Sequence, residues 1–333
     1  PRILTWMART NVLAAGSLAI PVPRPAGIEP DDAIAAWRQG EPGLLERARE
    51  LRELCLGDRL EISAHIHMIT SCRIRPPCRY CSLSSSLDAV RRRRAVLSYA
   101  ELQDSMALAV SSGVDSVVLV GGSDLSGIDF QLLRAVKVAL AAAPGIPLDV
   151  DVGPSISMEG LRALRALGVR TIFSAVETTS PGEFEEAKPG DSLSERMRLL
   201  LDAHGVGLRT GTVIMNGLGN PVKTLMDLRR EAPWLDYIYV STFSPVAGTP
   251  WEGRAPASVD DSTDLVTLAR IMFPCAHIAL ADVLPEVGDI SRHLIHELAA
   301  GAGNTFSGLL MYKDVKLNYV DELRRAWQRQ ILK

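Results

Sequence analysis

Three cysteines lie close together in the sequence and have the side chains best suited to hold a metal centre. Cys72, Cys78 and Cys81 are separated by five and then two residues, and the longer gap contains Pro76 and Pro77. Three thiolates on one loop can hold an iron–sulfur cluster and leave one iron without a protein ligand. An iron with an open position can bind and help to split a cofactor, so this spacing indicates a cluster with a chemical role.

A zinc knuckle is the alternative interpretation of the same cysteines. Zinc would need a fourth ligand, and His65 or His67, just upstream, could provide it. In an extended strand, however, residues 65 and 67 share a face and point away from the tip of the following loop. The iron–sulfur interpretation is therefore favoured, and the zinc site stays open as a second possibility.

Composition narrows the classes of protein that this chain can be. It has 333 residues, 47% of them hydrophobic, and a formal net charge of −3, so it can bury a large core and has no excess of positive charge for a nucleic acid. No apolar run reaches the roughly 18 residues of a membrane span. Five cysteines, three of them clustered, do not suit a secreted disulfide scaffold. We expect a cytoplasmic protein with neither nucleic-acid nor membrane partners.

The domain organisation follows from the alternation of short apolar runs with helical patterns, which is typical of a parallel sheet built from βα units. Eight such units predict an α/β fold, a (β/α)₈ barrel, over residues 61–333. Residues 1–60 are expected to form a lead-in, with an apolar segment at 12–20, and helices that pack on the barrel. The run of arginines at 91–94 is expected to be a solvated face, or else a contact for a phosphate or a partner. The expected strands are 66–69, 116–120, 148–152, 171–176, 208–215, 237–242, 278–283 and 305–311.

Barrel chemistry takes place at the carboxyl ends of the strands, where the βα loops meet. The cysteine loop follows the first expected strand, and Gly121-Gly122-Ser123-Asp124 follows the second. Glu177 is the first charged residue after the fourth strand, and Arg196 lies in the first turn of the next helix. A carboxylate and a guanidinium over one cavity suit a zwitterionic ligand. The alternatives are a turn with a helix cap at 121–124, and surface positions for Glu177 and Arg196.

These segments resemble the radical S-adenosylmethionine (SAM) enzymes, in which three cysteines hold a [4Fe–4S] cluster and an aromatic residue precedes the last of them. Tyr80 occupies that aromatic position. Residues 177–218 resemble the same region of biotin synthase, of the maturase for the [FeFe]-hydrogenase cofactor and of methylornithine synthase. The resemblance extends over about residues 43–250 and implies a cluster on Cys72, Cys78 and Cys81.

The resemblance also implies where SAM binds. The segment Gly121-Gly122-Ser123 is similar to the Gly-Gly-Glu motif that binds the amino end of SAM; serine replaces the glutamate, so a carboxylate contact would come from Asp124. Glu177 and Arg196 would bind the methionyl end. The loop at 243–250, which contains Val246, would close over the adenosine. A small-molecule substrate would lie inside the barrel, and an electron donor such as flavodoxin or ferredoxin would reduce the cluster.

The implied reaction is cleavage of SAM to a 5′-deoxyadenosyl radical that abstracts hydrogen from a substrate. The five-residue cysteine gap resembles the variant in the radical SAM protein that accompanies biosynthesis of the iron-guanylylpyridinol cofactor of iron-only hydrogenase, which predicts a role in that pathway. The alternatives are a mutase or ring-forming enzyme similar to methylornithine synthase, a non-catalytic scaffold for cofactor assembly, and a barrel lyase or hydrolase with a zinc knuckle.

Polar residues expected on the inner face of the strands are candidates for contacting the substrate or for filling the barrel core. They are Asp149, Asp151, Thr210, Tyr239 and Thr242.

Two cysteines outside the cluster loop are expected to be structural. Cys55 lies on the apolar face of a helix that ends at Gly57, and Cys275 precedes the seventh strand.

Overall fold

The computed structural model describes residues 29–38, 43–88, 95–281, 303–310 and 319–331. The expectations for residues 1–28 and for the arginine run at 91–94 therefore lie outside the described residues. Eight parallel strands form a closed barrel in chain order, which confirms the predicted (β/α)₈ architecture. The strands are β1 (Glu61–His67), β2 (Ser116–Val120), β3 (Leu148–Asp151), β4 (Thr171–Phe173), β5 (Arg209–Asn216), β6 (Tyr237–Thr242), β7 (His277–Ala281) and β8 (Thr305–Leu310).

Helices cover the outside of the barrel. They are α1 (Pro30–Arg38), α2 (Leu44–Leu56), α3 (Tyr99–Ser111), α4 (Asp129–Ala142), α5 (Met158–Ala166), α6 (Pro181–Ala187), α7 (Leu193–Gly205), α8 (Pro221–Glu231), α9 (Val259–Met272) and α10 (Tyr319–Ile331). None of these described helices is long and apolar enough to cross a bilayer.

The first strand departs most from the bounds that the apolar pattern predicted. It begins at Glu61, five residues before the predicted run, because its outward residues alternate with polar residues that face the barrel interior. Ile62, Ala64 and Ile66 pack in the hydrophobic layer under the helices. Strand β2, in which only Ser116 is polar, falls where it was predicted.

A polar network fills the amino-terminal end of the barrel. The Glu61 carboxylate accepts hydrogen bonds from Arg170 (2.7 Å) and Tyr237 (3.3 Å), and His277 Nδ1 lies 3.1 Å from it. Arg170 Nε also donates to Asp149 (2.9 Å). Burial alone would raise the pKa of Glu61, but the hydrogen bond from His277 and the charge of Arg170 outweigh it and hold the pKa below its usual range. This charged layer closes the barrel opposite the active face.

The amino-terminal helices pack on the barrel layer through α9. Helices α1 and α2 both contact α9, and Arg230 of α8 forms an ion pair with Asp31 of α1 (3.1 Å). Cys55 of α2 is joined to Cys275 by a disulfide with a Cα–Cα distance of 5.1 Å. Their sequence contexts predicted separate structural positions, so this pairing corrects that interpretation. The packing is compatible with the predicted division at residue 60, which stays a prediction.

Candidate active site

The cysteine loop leaves β1 and is held against two other loops. Cys72, Cys78 and Cys81 are half-buried free thiols, and the Cys81 amide donates to the Cys78 carbonyl (3.3 Å). The five-residue gap is packed into the fold, since Ile74 in its middle is only 2% exposed. A Cβ on Gly190 would lie 2.3 Å from the Pro76 carbonyl oxygen, so the loop backbone rests directly on that glycine.

The three thiols lie on one loop and suit a [4Fe–4S] cluster, which provides a separate iron for each cysteine and leaves the fourth iron open. Within the described residues, no three histidine, cysteine, aspartate or glutamate side chains are grouped as ligands of a single metal ion. Burial raises the pKa of the Cys78 thiol to about 12, against the opposing charge of Lys188. Binding iron at this position would therefore release a proton.

The glycine turn after β2 touches the cysteine loop backbone to backbone. A Cβ on Gly122 would lie 2.2 Å from the Cys72 amide nitrogen, a distance that no side chain can occupy. The Gly122 amide donates to the Thr70 carbonyl (3.0 Å), and the Arg73 amide donates to the Ser123 carbonyl (2.7 Å). Glycine is required here because the two loops share one narrow space.

The last residue of this turn, Asp124, is bound by its neighbours. Asp124 accepts hydrogen bonds from the Ser126 amide (3.0 Å) and hydroxyl (2.6 Å), and it lies 3.6 Å from Arg73. These contacts turn the carboxylate towards the cysteine loop. No hydrogen bond or ion pair joins Asp124 to Glu177 or Arg196 in the described part of the chain, and its role as the carboxylate contact for SAM stays a prediction.

Glu177 lies at the barrel mouth, where its backbone conformation and its side-chain contacts hold it in place. Its backbone is in the left-handed region (φ 65°), and its carboxylate is buried. Strained backbone of this kind is frequent at functional sites. Its Oε2 accepts from the Tyr80 hydroxyl and from Lys188 Nζ (3.0 Å). Burial and the neighbouring Glu177 charge raise the pKa of Tyr80, so its hydroxyl stays a proton donor.

Two buried charges link Glu177 to Arg196. Lys188 is 2% exposed, and its Nζ also lies 3.7 Å from Asp191 Oδ2. Arg196 Nε donates to that same oxygen (2.8 Å), and an Arg196 terminal nitrogen donates to the Ser123 hydroxyl (3.2 Å). Burial alone would lower the pKa of Arg196, but Asp191 outweighs it and raises the pKa. The result is one connected row of charges across the mouth of the barrel.

Lys188 and Asp191 were not identified from the sequence. Both lie in the short Lys-Pro-Gly-Asp stretch between α6 and the N-cap residue Ser192 of α7. A charged residue next to a helix N-terminus is usually solvated, and nothing in the sequence distinguishes a buried one. The only sequence feature that could have identified them as site residues is their position between Glu177 and Arg196.

The loop after β6 packs on the residues that follow the last cysteine. The Ser86 amide donates to the Gly248 carbonyl (2.8 Å), and the Ser85 hydroxyl donates to the Ala247 carbonyl (2.7 Å). The Val246 carbonyl accepts from the Thr249 hydroxyl (2.7 Å), which closes the loop into a tight turn. The predicted adenosine loop therefore lies at the same face as the cysteines.

The substrate candidates divide according to strand alternation. Asp149 faces inwards but is bound by Arg170 at the closed end. Thr242 Oγ1 lies 2.7 Å from the Ser262 hydroxyl of α9, so it faces the helices. Thr210 shares its outward face with Ile214, which packs under the helices. The predictions of Thr210 and Thr242 as inward-facing residues were wrong.

Two candidates remain near the cavity. Tyr239 packs inside the barrel with Phe173 and stacks on His65, with ring centroids 6.3 Å apart. His65 therefore belongs to the barrel interior rather than to a zinc site, and burial lowers its pKa to about 4. Asp151, the last residue of β3, is half-buried and lies in the electrostatic field of Arg196 and Lys188.

The order of these parts along the barrel agrees with a comparison against known families. Residues 66–232 match the model of the Radical SAM superfamily. The chain belongs to the radical SAM superfamily. Its enzymes use a [4Fe–4S] cluster and SAM, and act on small-molecule or peptide substrates with a reductant. The matched segment runs from the end of β1 to just past α8 and contains the three cysteines, the glycine turn and the row of charges.

Individual proteins are similar to this chain at low identity. An uncharacterized protein of Methanocaldococcus jannaschii is 25% identical over 237 residues, covering 69% of this chain and 61% of that protein. Biotin synthase of Campylobacter hominis is 26% identical, covering 72% and 74%, and 3-methylornithine synthase of Methanosarcina barkeri is 25% identical, covering 71% and 67%.

Solved structures share the fold. Methylornithine synthase superposes with a TM-score of 0.75 at 20% identity, covering 91% of this chain and 93% of that one. The FeFe-hydrogenase maturase HydG from Carboxydothermus hydrogenoformans gives 0.69 at 19% identity, covering 85% and 70%.

Proposed function

We propose that this radical SAM enzyme holds its cluster on Cys72, Cys78 and Cys81 and binds SAM between the glycine turn and Arg196. The observation that carries the proposal is the connected row of buried charges from Glu177 to Arg196, which lies on the same face as the half-buried thiols. When bound, the reduced cluster supplies the electron that cleaves SAM to methionine and a 5′-deoxyadenosyl radical.

Each end of SAM has a suitable contact in this arrangement. The planar guanidinium of Arg196 can bind the SAM carboxylate through two hydrogen bonds, and Asp191 fixes its orientation (2.8 Å). The backbone of Gly121 and Gly122 offers polar groups without side chains in the way. Oε2 of Glu177 is taken by Tyr80 and Lys188, so its other oxygen is the one available to the ligand. The turn at Val246 is the proposed contact for the adenosine.

The electron donor that we propose is a small acidic carrier such as flavodoxin or ferredoxin. Arg73, Arg75 and Arg79 are exposed on the cysteine loop, and the segment between β1 and the short 3₁₀ helix (Ser82–Ser84) contains no acidic residue. A local patch of positive charge next to a redox centre favours approach of a negatively charged partner. The effect would weaken as salt increases.

For the pathway, we propose biosynthesis of the iron-guanylylpyridinol cofactor. Support comes from the five residues between the first two cysteines. They are packed into the fold rather than looped out, because Ile74 is buried and the Pro76 carbonyl lies against Gly190. A carbon-skeleton mutase or ring-forming enzyme is the second candidate. It is favoured by the similarity to 3-methylornithine synthase over 71% of this chain. The substrate would lie beside Tyr239 and Asp151.

Turnover of SAM tests catalysis against a scaffold role. Reconstituted protein, reduced with dithionite without oxygen, should convert SAM slowly to methionine and 5′-deoxyadenosine, which mass spectrometry detects. The rate should rise with the true substrate, and substrate deuterium should appear in 5′-deoxyadenosine. A protein that carries iron, sulfide and SAM but yields no 5′-deoxyadenosine with any low-potential reductant would favour the scaffold.

Iron content tests the cluster ligands separately. Cys78→Ala should lose most of its iron and sulfide after anaerobic reconstitution, because one of three thiolate ligands is gone. The paired variant Cys55→Ser/Cys275→Ser is the matched control and should load fully, since both residues lie in the disulfide. Full iron loading in Cys78→Ala would contradict the assignment.

A further inference from the structure

The segment that follows α6 lies against the two residues that separate the last two cysteines. The Arg79 amide donates a hydrogen bond to the Ala187 carbonyl (2.8 Å). The Tyr80 hydroxyl donates to Glu177 Oε2, and Lys188 Nζ lies 3.0 Å from that same oxygen. Both residues between these cysteines are therefore tied to Lys188 or to its neighbour in the chain.

Lys188 is a charged side chain that is buried beside the cysteine loop. It is 2% exposed, and its Nζ also donates to the Ala175 carbonyl (3.1 Å) and lies 3.7 Å from Asp191 Oδ2. Removing an ammonium from water is costly, and well-packed apolar side chains often replace a buried ion pair without loss of stability. Stability alone therefore does not account for a positive charge at this position.

The charges beside the cysteine loop act on its thiols because water screens buried charges weakly. Burial raises the pKa of the Cys78 thiol to about 12, and the charge of Lys188 opposes that rise. An ammonium that favours a thiolate at this position also favours added negative charge on a cluster held by the same thiolate. The row of charges contains two carboxylates and two bases, which are Glu177, Asp191, Lys188 and Arg196. Removing any one of the four therefore leaves an uncompensated charge near the cysteines.

We propose that Lys188 tunes the reduction potential of the cluster through its buried positive charge. This inference rests on the cluster ligands of the proposed function and concerns electron uptake rather than SAM binding. The reduced cluster carries one more negative charge than the oxidised cluster, so a nearby ammonium stabilises the reduced form and raises the potential. The Glu177 carboxylate acts in the opposite direction. Together the pair keeps the cluster within reach of its electron donor.

The test is a redox titration of the anaerobic, cluster-loaded protein without SAM, followed by EPR at about pH 8.5, where carboxyl groups are ionised. Lys188→Met should lower the potential and Glu177→Gln should raise it. Each shift should be at least about 59 mV, which is a tenfold change in the ratio of reduced to oxidised cluster. The double variant Glu177→Gln/Lys188→Met should return close to the wild-type potential, and Lys188→Arg should keep it.

The matched control is Lys223→Met on α8. Lys223 is 56% exposed and pairs with Asp227, so its replacement removes the same charge from the protein at a solvated position. The potential should not change, because an exposed charge is screened by water and salt. A shift in this control as large as that in Lys188→Met would overturn the inference, since net charge alone would then explain both.

Shifts of opposite sign that cancel in the double variant require a charge effect, which a displaced loop would not produce. The inference is also overturned if Lys188→Met and Glu177→Gln leave the potential unchanged or shift it in the same direction. If Lys188→Met does not load iron, the double variant is compared with Glu177→Gln, from which it differs only by the Lys188 charge; equal potentials then overturn the inference.

These outcomes separate the role of Lys188 from the proposed function. If wild type loads a [4Fe–4S] cluster that titrates normally while the variants keep its potential, only the role of Lys188 is lost. If wild type holds no such cluster on its three loop cysteines, the proposed function fails and the inference fails with it.

Discussion

At the scale of single residues, Arg196 has the environment of a ligand-binding guanidinium. It is 5% exposed, and its contacts to Asp191 and Ser123 hold its plane in place before any ligand arrives. A preorganised, partly desolvated guanidinium loses little entropy on binding a carboxylate. If SAM binds as proposed, Arg196 is the single position at which we expect the largest loss of SAM affinity.

Replacing Arg196 by alanine should weaken SAM binding by about 1.5–3 kcal/mol, which is about ten- to more than a hundredfold in the dissociation constant. Lysine should restore little, because it cannot form the same two-pronged contact. Calorimetry on the cluster-loaded protein measures both. Arg198→Ala is the control on the same helix; its side chain is 70% exposed and pairs only loosely with Asp202 (3.5 Å), so affinity should not change. Unchanged SAM affinity in Arg196→Ala would argue against the site.

At the scale of elements, the site depends on how closely the loops after β1 and β2 approach each other. The Gly122 position admits no Cβ, since the Cys72 backbone would lie 2.2 Å away. The cysteine loop in turn rests on the Gly190 backbone. Gly122 and Gly190 therefore hold the cysteine loop at two separate backbone contacts.

Gly122→Ala should displace the cysteine loop and lower both iron loading and SAM affinity, because backbone atoms cannot yield as a flexible side chain can. Iron and sulfide analysis together with calorimetry would show this. Gly205→Ala is a matched control at the end of α7, where an added Cβ meets nothing within 4 Å and alanine favours the helix. Normal cluster loading in Gly122→Ala would mean that the loops can separate without consequence.

At the scale of the whole molecule, the disulfide between Cys55 and Cys275 joins α2 to the segment before β7. The two residues are 220 positions apart, so the crosslink encloses most of the barrel. In the chain-entropy description, closing a loop of this length stabilises the folded protein by about 5 kcal/mol, a value that native strain or residual structure can reduce. The cluster cysteines are not part of this crosslink.

Dithiothreitol should lower the urea midpoint of the cluster-free wild-type protein, whereas Cys55→Ser/Cys275→Ser should have the lower midpoint with or without it. Thiol titration in denaturant should find three free thiols before reduction and five after. Five thiols in the unreduced protein, or a wild-type midpoint that dithiothreitol does not change, would contradict a role for this pair in stability.

The sequence was sufficient to predict the barrel and to place the main candidate site residues at one end of it, because both leave local signals. Alternating apolar runs predicted eight strands, and β2 and β6 have the predicted bounds. Helix starts are also set by local sequence, since Ser98 and Glu101 form a complete capping box and Asn220 caps α8 before Pro221. The order of the cysteines, the glycine turn, Glu177 and Arg196 along the strands brought them to one face, because parallel strands in a barrel all end there.

The tertiary structure decided which side chains face each other. Tyr239 and Thr242 are three residues apart, so strand alternation already prevents both from facing inwards, and packing against α9 identifies Thr242 as the outward one. The residues next to Lys188 and Cys275 in the sequence do not predict their burial or their partners, since these contacts join separate segments of the chain. Periodicity and residue spacing report only on the helix or strand in which they occur. An ion pair or a disulfide between distant segments depends on how whole helices and strands pack together.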